Sequence, residues 1–186
     1  MMEEDKDMYK KDLDTSSGMW GLWNYDTYKH IDDYDKWDVL FCEDEDIVKQ
    51  IESHYFVPVY IFEDGCRSFT VRIDEEITER EKQYICVQSE EYLLKSTGKV
   101  IVSGIDKIDQ NINPDRVIEL DLPEGYYSVK TYLIAWDEEP GAVLENGEIS
   151  PDALSDFVII IKSDVDSERE YRTKINTFSE DDEAEN

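Results

Sequence analysis

Acidic and aromatic side chains are interleaved over a short stretch of the chain, and this combination suits the binding of a basic protein surface. Between residues 32 and 46 there are eight carboxylates, at Asp32, Asp33, Asp35, Asp38, Glu43, Asp44, Glu45 and Asp46. Tyr34, Trp37 and Phe41 lie among them. Spaced carboxylates imitate the charge density of a phosphate backbone, and aromatic side chains supply many of the strong contacts in protein interfaces. The stretch therefore predicts a partner-binding face.

A second acidic group follows an aromatic residue later in the chain. Asp137, Glu138 and Glu139 come directly after Trp136, and we predict that they also contact the partner. Such a surface would fit the basic groove of a nuclease or another nucleic-acid-binding protein, because complementary charge speeds association and marks the right partner. The competing interpretation of both groups is a solvated loop whose aromatic residues turn inward to the core.

Metal sites are the main rival chemistry. The three cysteines, Cys42, Cys66 and Cys86, are odd in number and lack CxxC spacing. We therefore expect reduced, buried thiols rather than a zinc site completed by His30 or His54. Calcium fits the sequence better than zinc, since residues 32–35 and 44–46 place several oxygen ligands close together. Neither segment has EF-hand spacing, however. We predict no metal and no cofactor, and keep a calcium- or small-ligand-binding module as the alternative function.

Catalysis is not indicated by any motif. Nucleotide-binding glycine loops, nucleophile elbows and zinc-protease helices are all missing from the sequence. A hydrolase built on paired carboxylates remains a third, weaker hypothesis, because so acidic a chain always supplies some pair of carboxyl groups. We predict that the protein is not an enzyme.

The overall charge limits the partner further. The chain has 186 residues, with 47 acids against 19 bases and a net charge of −28. Most of this excess falls between residues 18 and 162, so the folded part must itself have an acidic surface. Repulsion disfavours direct binding to nucleic acid or to an anionic membrane. No apolar stretch is long enough to span a membrane, and the start of the chain lacks signal-peptide features, so we expect a cytoplasmic protein.

The elements that must position these residues are mostly β-strands. The acids at 43–46 precede apolar residues at helical spacing, which predicts a helix over about 44–55, and residues 39–42 are predicted as a short strand. Asp64 and Gly65 predict a hairpin between strands at 57–62 and 68–73. Further strands are expected at 83–88, 92–95, 100–102, 116–122, 126–136 and 157–161, with turns at 96–99 and 122–125.

This pattern predicts a mostly β protein: an antiparallel β-sandwich or open barrel with one or two short helices. Residues 1–17 are expected to form a flexible acidic arm, residues 18–178 a single β-sandwich domain, and residues 179–186 a disordered acidic tail.

Part of this pattern resembles a known family. A charged run and strand at 79–87, a strand at 98–102, and strands flanking Leu-Pro-Glu-Gly-Tyr at 122–126 occur in this order. Together with the acidic, glycine-containing segment 63–69, they resemble the competence-associated nuclease inhibitors of bacteria over about residues 55–162. The segment 155–159 is similar to the closing pattern of related acidic bacterial proteins. The resemblance implies a β-sandwich and an inhibitor or immunity role, and assigns no site residues.

The sequence therefore predicts a non-enzymatic, strongly acidic bacterial or phage protein that occludes a basic partner. The most specific form of this hypothesis is an inhibitor, immunity protein or antitoxin that acts on a nuclease toxin or a defence protein. The acidic face would then act as a nucleic-acid mimic.

Overall fold

A computed structural model of the protein describes residues 8–163, 165–166 and 168–178. Within this part of the chain there are eight strands, which are β1 Met8–Thr15, β2 Met19–Asn24, β3 Phe56–Tyr60, β4 Gly65–Ile73, β5 Ile85–Gln88, β6 Tyr92–Gly104, β7 Ile118–Ile134 and β8 Phe157–Lys162. Four short α-helices accompany them in the same residues: α1 Tyr25–Tyr28, α2 Tyr34–Phe41, α3 Asp44–Glu52 and α4 Glu79–Lys82. Among the described residues no helix is both long and apolar enough to cross a membrane.

The strands form one sheet in the order β1-β4-β8-β7-β6-β2-β3, and β5 pairs with β7 beside β6. All neighbours are antiparallel except β4 and β8, which run parallel. The two ends of this order do not pair with each other, so the sheet is not closed into a barrel. The predicted mostly β class is confirmed. The described residues differ in the one parallel pair and in having four helices rather than one or two.

Two long strands, β6 and β7, carry the bend of the sheet. The sequence predicted four shorter strands with turns at 96–99 and 122–125, and this was wrong. The ladder is continuous, with a register shift between Ser96 and Gly98, which face Gly125 and Leu122. Gly98 and Gly125 have φ values of 132° and 154°, a conformation that favours glycine. Because the two irregularities face each other, both strands bend together and the ladder is kept.

The core lies between the two halves of the bent sheet. Trp20 of β2 contacts Phe69 of β4 and Phe157 of β8, with ring centroids 5.7 and 6.1 Å apart. All three side chains are fully buried. A smaller cluster of Ile77, Ile134, Val158 and Ile160 lies on the other side of β8. The arrangement is therefore sandwich-like, although one continuous sheet supplies both layers.

The first strand was not expected from the sequence. Residues 8–15, placed in the predicted flexible arm, pair with β4 along their whole length. Leu13 and Thr15 are buried while Lys10 and Asp12 are exposed, which is the alternation of a half-buried strand. Pairing and the burial of Leu13 outweigh the low strand preference of the lysines and aspartates. Residues 1–7 of that arm and the predicted tail 179–186 lie outside the described residues.

The expected hairpin at Asp64 and Gly65 is also absent from the described residues. β3 pairs with β2, whereas β4 pairs with β1 and β8, so the chain crosses from one half of the sheet to the other between them. Phe62 adopts a left-handed φ of 63° at this crossing. Asp64 and Gly65 correctly predicted that the chain changes direction after β3. They did not predict which strands β3 and β4 would pair with.

The end of the described chain covers the edge strand β3. The Thr177 hydroxyl accepts a hydrogen bond from the Tyr60 amide at 2.8 Å and donates one to the Pro58 carbonyl at 2.9 Å. The Tyr92 hydroxyl donates to the Lys174 carbonyl at 2.8 Å. An edge strand whose polar backbone is occupied in this way is protected from pairing with other chains.

A buried ion pair anchors α4 to the sheet. The Arg72 guanidinium on β4 donates to the two carboxylate oxygens of Glu81 at 2.5 and 3.0 Å, and both side chains are buried. Glu81 also accepts a hydrogen bond from the Thr78 amide, while the Thr78 hydroxyl caps the Glu81 amide. This reciprocal capping box fixes the short helix on the sheet.

We expect Glu81→Gln to lower the free energy of unfolding by about 3 kcal/mol, because the Arg72 charge would stay buried without its counter-charge. Glutamine retains the capping box, so the loss reports the ion pair rather than the cap. Urea denaturation of the two proteins measures the difference. The double variant Arg72→Met with Glu81→Gln removes both charges and should recover much of the loss. Equal stability of Glu81→Gln and the unsubstituted chain would contradict a stabilising pair.

Candidate partner-binding site

The first acidic stretch folds as two consecutive helices rather than as a loop and a strand. The Asp33 carboxylate accepts a hydrogen bond from the Lys36 amide at 2.9 Å and so caps the first turn of α2. Phe41 is buried at the other end of the helix, and Trp37 and Leu40 pack against the same core. The predicted strand at 39–42 was therefore wrong. The cap at Asp33 and the inward positions of α2 favour a helix there.

The second helix of the pair, α3, confirms the predicted helix start but ends three residues earlier, at Glu52. His54, with a φ of 68°, reverses the chain before β3. Three acids, Asp44, Glu45 and Asp46, occupy the first turn, where the helix dipole stabilises negative charge. Ile47 and Ile51 face the core, so the acids are left toward solvent.

The two helices bring the first group of predicted site residues together, and we call this surface the α2–α3 face. The exposed members are Asp32, Asp33, Tyr34, Asp35, Glu43, Asp44 and Glu45, and the half-buried ones are Trp37, Asp38 and Asp46. Lys36 and Lys49 neutralise only part of the charge, through pairs with Asp32 at 2.6 Å and Asp46 at 3.0 Å.

The second acidic group lies against a different part of the fold. Asp137 and Glu138 are exposed, but Glu139 forms a bidentate ion pair with Arg80 of α4. The Trp136 indole donates to the Asp156 carboxylate at 2.8 Å. Trp136 packs on the smaller hydrophobic cluster, whereas Trp37 packs on the main core. The structure therefore does not combine the two groups into one face.

The α2–α3 face borders a pocket of about 590 Å³. Its floor is apolar and is formed by Met19, Ile31, Phe41, Ile47, Ile105 and Ile108. Its aromatic wall consists of Tyr34, Trp37 and Tyr60. Its rim carries the carboxylates of Asp33, Asp44, Asp106 and Asp109. A pocket that combines an apolar lining with a few polar groups is a usual form of a binding site.

The three aromatic residues of the stretch have different roles. Phe41 is buried, as the solvated-loop interpretation requires, but the ring of Tyr34 is 68 % exposed. Trp37 lies between them: its ring stacks on Tyr34 at 5.8 Å, and its indole donates to the Ile105 carbonyl at 2.8 Å. Trp37 therefore joins α2 to the segment that forms the far side of the pocket.

Carboxylates around the pocket raise the pKa of neighbouring hydroxyl and thiol groups. A hydrogen bond to Asp38 and its charge raise the pKa of the Tyr34 hydroxyl and of the Cys42 thiol. Burial, then the charge of Asp44, raise the pKa of Tyr60. Burial also acts to raise the pKa of Asp106, but its hydrogen bond and ion pair with Lys107 and its bonds to Ser16 and Thr15 hold that pKa below the usual value. Asp106 is thus kept as a charged carboxylate at the pocket rim.

Sequence reasoning missed several pocket residues. Asp106 and Asp109 lie far from α2 in sequence and reach the pocket only because β6 ends beside β2. Tyr60 was predicted within a strand, and its role as a wall depends on the crossing after β3. The Phe62 ring packs against Tyr60 in a tilted arrangement, with ring centroids 4.0 Å apart, and Phe62 is 65 % exposed. Phe62 is not a lining residue, but its position directly before Glu63 and Asp64 is an acidic-aromatic pattern that could have pointed to this edge of the pocket.

Metal binding gains no support from the geometry. Among the residues that the structure describes, no three histidine, cysteine, aspartate or glutamate side chains are grouped as ligands. Cys42, Cys66 and Cys86 are free and exposed, whereas buried thiols were expected. Cys66 and Cys86 occupy exposed positions of β4 and β5, and Cys42 lies at the exposed junction between α2 and α3.

Comparison with solved structures identifies two proteins of similar fold. One is described as "Crocagin biosynthetic gene J"; it matches with a TM-score of 0.55 at 12% identity, over 86% of this chain and 97% of that chain. The other is ComJ from Bacillus subtilis, inhibitor of the DNA degrading activity of NucA, with a TM-score of 0.50 at 13% identity, over 87% and 99%. No protein-family model and no curated protein matches the sequence. The predicted resemblance to the competence-associated nuclease inhibitors is confirmed at the level of the fold.

We expect Trp37→Ala to lower the free energy of unfolding by about 2 kcal/mol, because the indole hydrogen bond and the contact with Phe41 are lost. Tyr34→Ala is the matched variant on the same helix, and it should change stability by less than about 0.5 kcal/mol because its ring is mostly in solvent. Urea denaturation compares them. An equal loss for both would mean that Trp37 does not anchor α2.

Proposed function

We propose that the protein is a non-enzymatic inhibitor that binds a basic partner through the α2–α3 face and occludes it, and that the partner is a nuclease. The observation that carries this proposal is the α2–α3 face itself: exposed carboxylates lie on α2, which Asp33 caps, and on the first turn of α3, with the half-buried Trp37 among them. The shared fold adds support, since ComJ is an inhibitor of a DNA-degrading activity.

Charge complementarity gives the physical basis. A nuclease must attract a phosphate backbone, so its active groove is basic, and a surface of spaced carboxylates competes for the same groove. Attraction between the two surfaces accelerates their encounter. Tyr34 and Trp37 would then supply the apolar contact that slows dissociation, as aromatic residues do at the centre of protein interfaces.

An inhibitory role also agrees better with the acids than a hydrolytic one does. Acid catalysis by a carboxyl group relies on burial to keep the group protonated near neutral pH. Asp35, Glu43 and Glu45 on the α2–α3 face are exposed to solvent instead. Occlusion requires no reaction, only a surface that is already in place before the partner arrives.

We place this activity in the cytoplasm of a bacterium or a phage-infected bacterium. The three exposed cysteines are unpaired, and exposed free thiols are better tolerated in a reducing compartment. An immunity protein or antitoxin would meet its nuclease there before the nuclease reaches nucleic acid.

A small-ligand-binding module is the second candidate, and the pocket beside α2 is the observation that favours it. Its volume of about 590 Å³ falls in the range of small-molecule sites. A neutral metabolite that raises the melting temperature with a saturable dependence on concentration would support this candidate. The inhibitor proposal instead requires a basic macromolecule.

We expect charge reversal on the α2–α3 face to slow inhibition. Asp35→Lys with Glu45→Lys should reduce the association rate with the nuclease by roughly tenfold and weaken its salt dependence, because long-range attraction is lost. Both residues are exposed and neither caps a helix with its side chain, so the fold should be retained. The partner is captured from the source cells with the purified chain, and surface plasmon resonance and a DNA-degradation assay measure binding and inhibition.

The matched variant is Asp137→Lys with Glu138→Lys, which makes the same charge change on the second acidic group. It should slow association much less, because that group lies against α4 rather than on the α2–α3 face. A larger effect from this variant would move the binding site to the second group. Captured partners without nuclease activity, or a nuclease that keeps its full activity at equal molar ratio, would reject the inhibitor proposal.

A further inference from the structure

We infer that the pocket beside α2 receives one arginine side chain of the partner together with the apolar residue next to it. The inference rests on the proposed function, because it assigns the partner's chemistry at the edge of the α2–α3 face. It adds a residue-level recognition element to what would otherwise be attraction between two charged surfaces.

The negative charge of the rim carboxylates favours a positively charged occupant. Four carboxylates are among the lining residues, and of these only that of Asp106 is paired with Lys107. Among the described residues that line the pocket there is no lysine, arginine or histidine. A positive group that enters would therefore meet Asp33, Asp44 and Asp109 without competition from a lining cation.

The geometry favours arginine over lysine. The Tyr34 and Trp37 rings both line the pocket and stack on each other with an interplanar angle of 27°, and the 68 % exposed Tyr34 leaves this aromatic wall open to a further planar group. A guanidinium group is planar, weakly hydrated and able to stack on such a wall while it donates hydrogen bonds to carboxylates. An ammonium group is compact and strongly hydrated, so it would lose more hydration for the same contact.

The rim carboxylates are already oriented. Asp33 accepts a hydrogen bond from the Lys36 amide at 2.9 Å, and Asp109 accepts one from the Asn111 amide at 2.7 Å. Each carboxylate keeps further lone pairs for an incoming donor. Because these side chains need not be ordered on binding, less conformational entropy opposes it.

The apolar floor and the size of the pocket indicate that an apolar side chain of the partner enters beside the arginine. One arginine side chain occupies only a fraction of about 590 Å³, and Met19, Ile31 and Ile108 offer it no polar partner. An adjacent leucine-like side chain would cover this apolar floor and exclude water from it. The occupant is therefore an arginine with an apolar flank, not an isolated cation.

Phe62 extends the same site beyond the pocket wall. Its left-handed φ is unfavourable for a bulky residue, and such conformations concentrate at functional positions. Its ring is exposed and is supported by Tyr60, which lines the pocket. The apolar flank of the partner's arginine would pack against this ring as it leaves the pocket.

The test uses three capped tripeptides, Leu-Arg-Leu, Leu-Lys-Leu and Leu-citrulline-Leu, which differ in the charge and shape of the central side chain. Each is titrated into the protein while the tryptophan indole N–H signals are followed by NMR. Trp37 should shift in a saturable way, and the arginine peptide should bind roughly tenfold more tightly than the isosteric, uncharged citrulline peptide, with lysine between them. The indoles of Trp20, Trp23 and Trp136 are bonded elsewhere in the fold and serve as internal controls.

Two substitutions test whether the peptide binds at the carboxylates of the pocket. Asp44→Asn removes a rim charge and should weaken the arginine peptide several-fold, whereas Glu124→Gln removes an exposed charge outside the pocket and should not. Equal affinity for arginine and citrulline peptides, or a Trp37 signal that does not respond, would overturn the arginine pocket. If charge reversal on the α2–α3 face still slows association with the nuclease in that case, the proposed function stands without the arginine pocket. If charge reversal has no effect either, both the arginine pocket and the proposed function are rejected.

Discussion

The burial of Trp20 between the two halves of the sheet is the interaction on which the rest of the fold depends. Its ring contacts Phe69 and Phe157 on the opposite half, and its indole donates to the Leu13 carbonyl of β1 at 3.0 Å. Removing a tryptophan ring from water contributes about 5 kcal/mol at the usual value per unit of apolar area. This contact holds together a chain whose net charge of −28 opposes compaction.

The helices α2 and α3 have one apolar and one acidic side, which explains how their outer surface can remain so acidic. The apolar sides of α2 and α3 anchor both helices, and their outward sides carry carboxylates. Lys36 and Lys49 pair locally on the surface, where such pairs are worth about 0.5 kcal/mol each and leave most of the charge unbalanced. Part of the charge that costs stability thus lies beside an aromatic pocket, where, under the proposed function, it would attract and orient a basic partner.

The sequence predicted elements whose local pattern agrees with their final environment, and it failed where distant pairing decided the outcome. The start of α3 and the strand β8 follow from acids at a helix start and from an apolar run. β1 could not be recognised, because lysines and aspartates form a strand there only through pairing with β4. The acidic stretch was predicted as a binding face, and that remains a prediction; Asp106 and Asp109 reach the same pocket through the topology of β6 and β2, which no local pattern encodes. The separation of Asp137 and Glu138 from the α2–α3 face has the same origin.

Hydrogen–deuterium exchange of the protein, free and bound to its captured nuclease, tests the central claim most directly, because it maps the contact surface without any substitution. The account predicts slower amide exchange on binding in residues 33–47, 58–62 and 105–109, where α2, α3 and the pocket meet. Protection confined to residues 79–82 and 136–139, with unchanged exchange in α2 and α3, would contradict it.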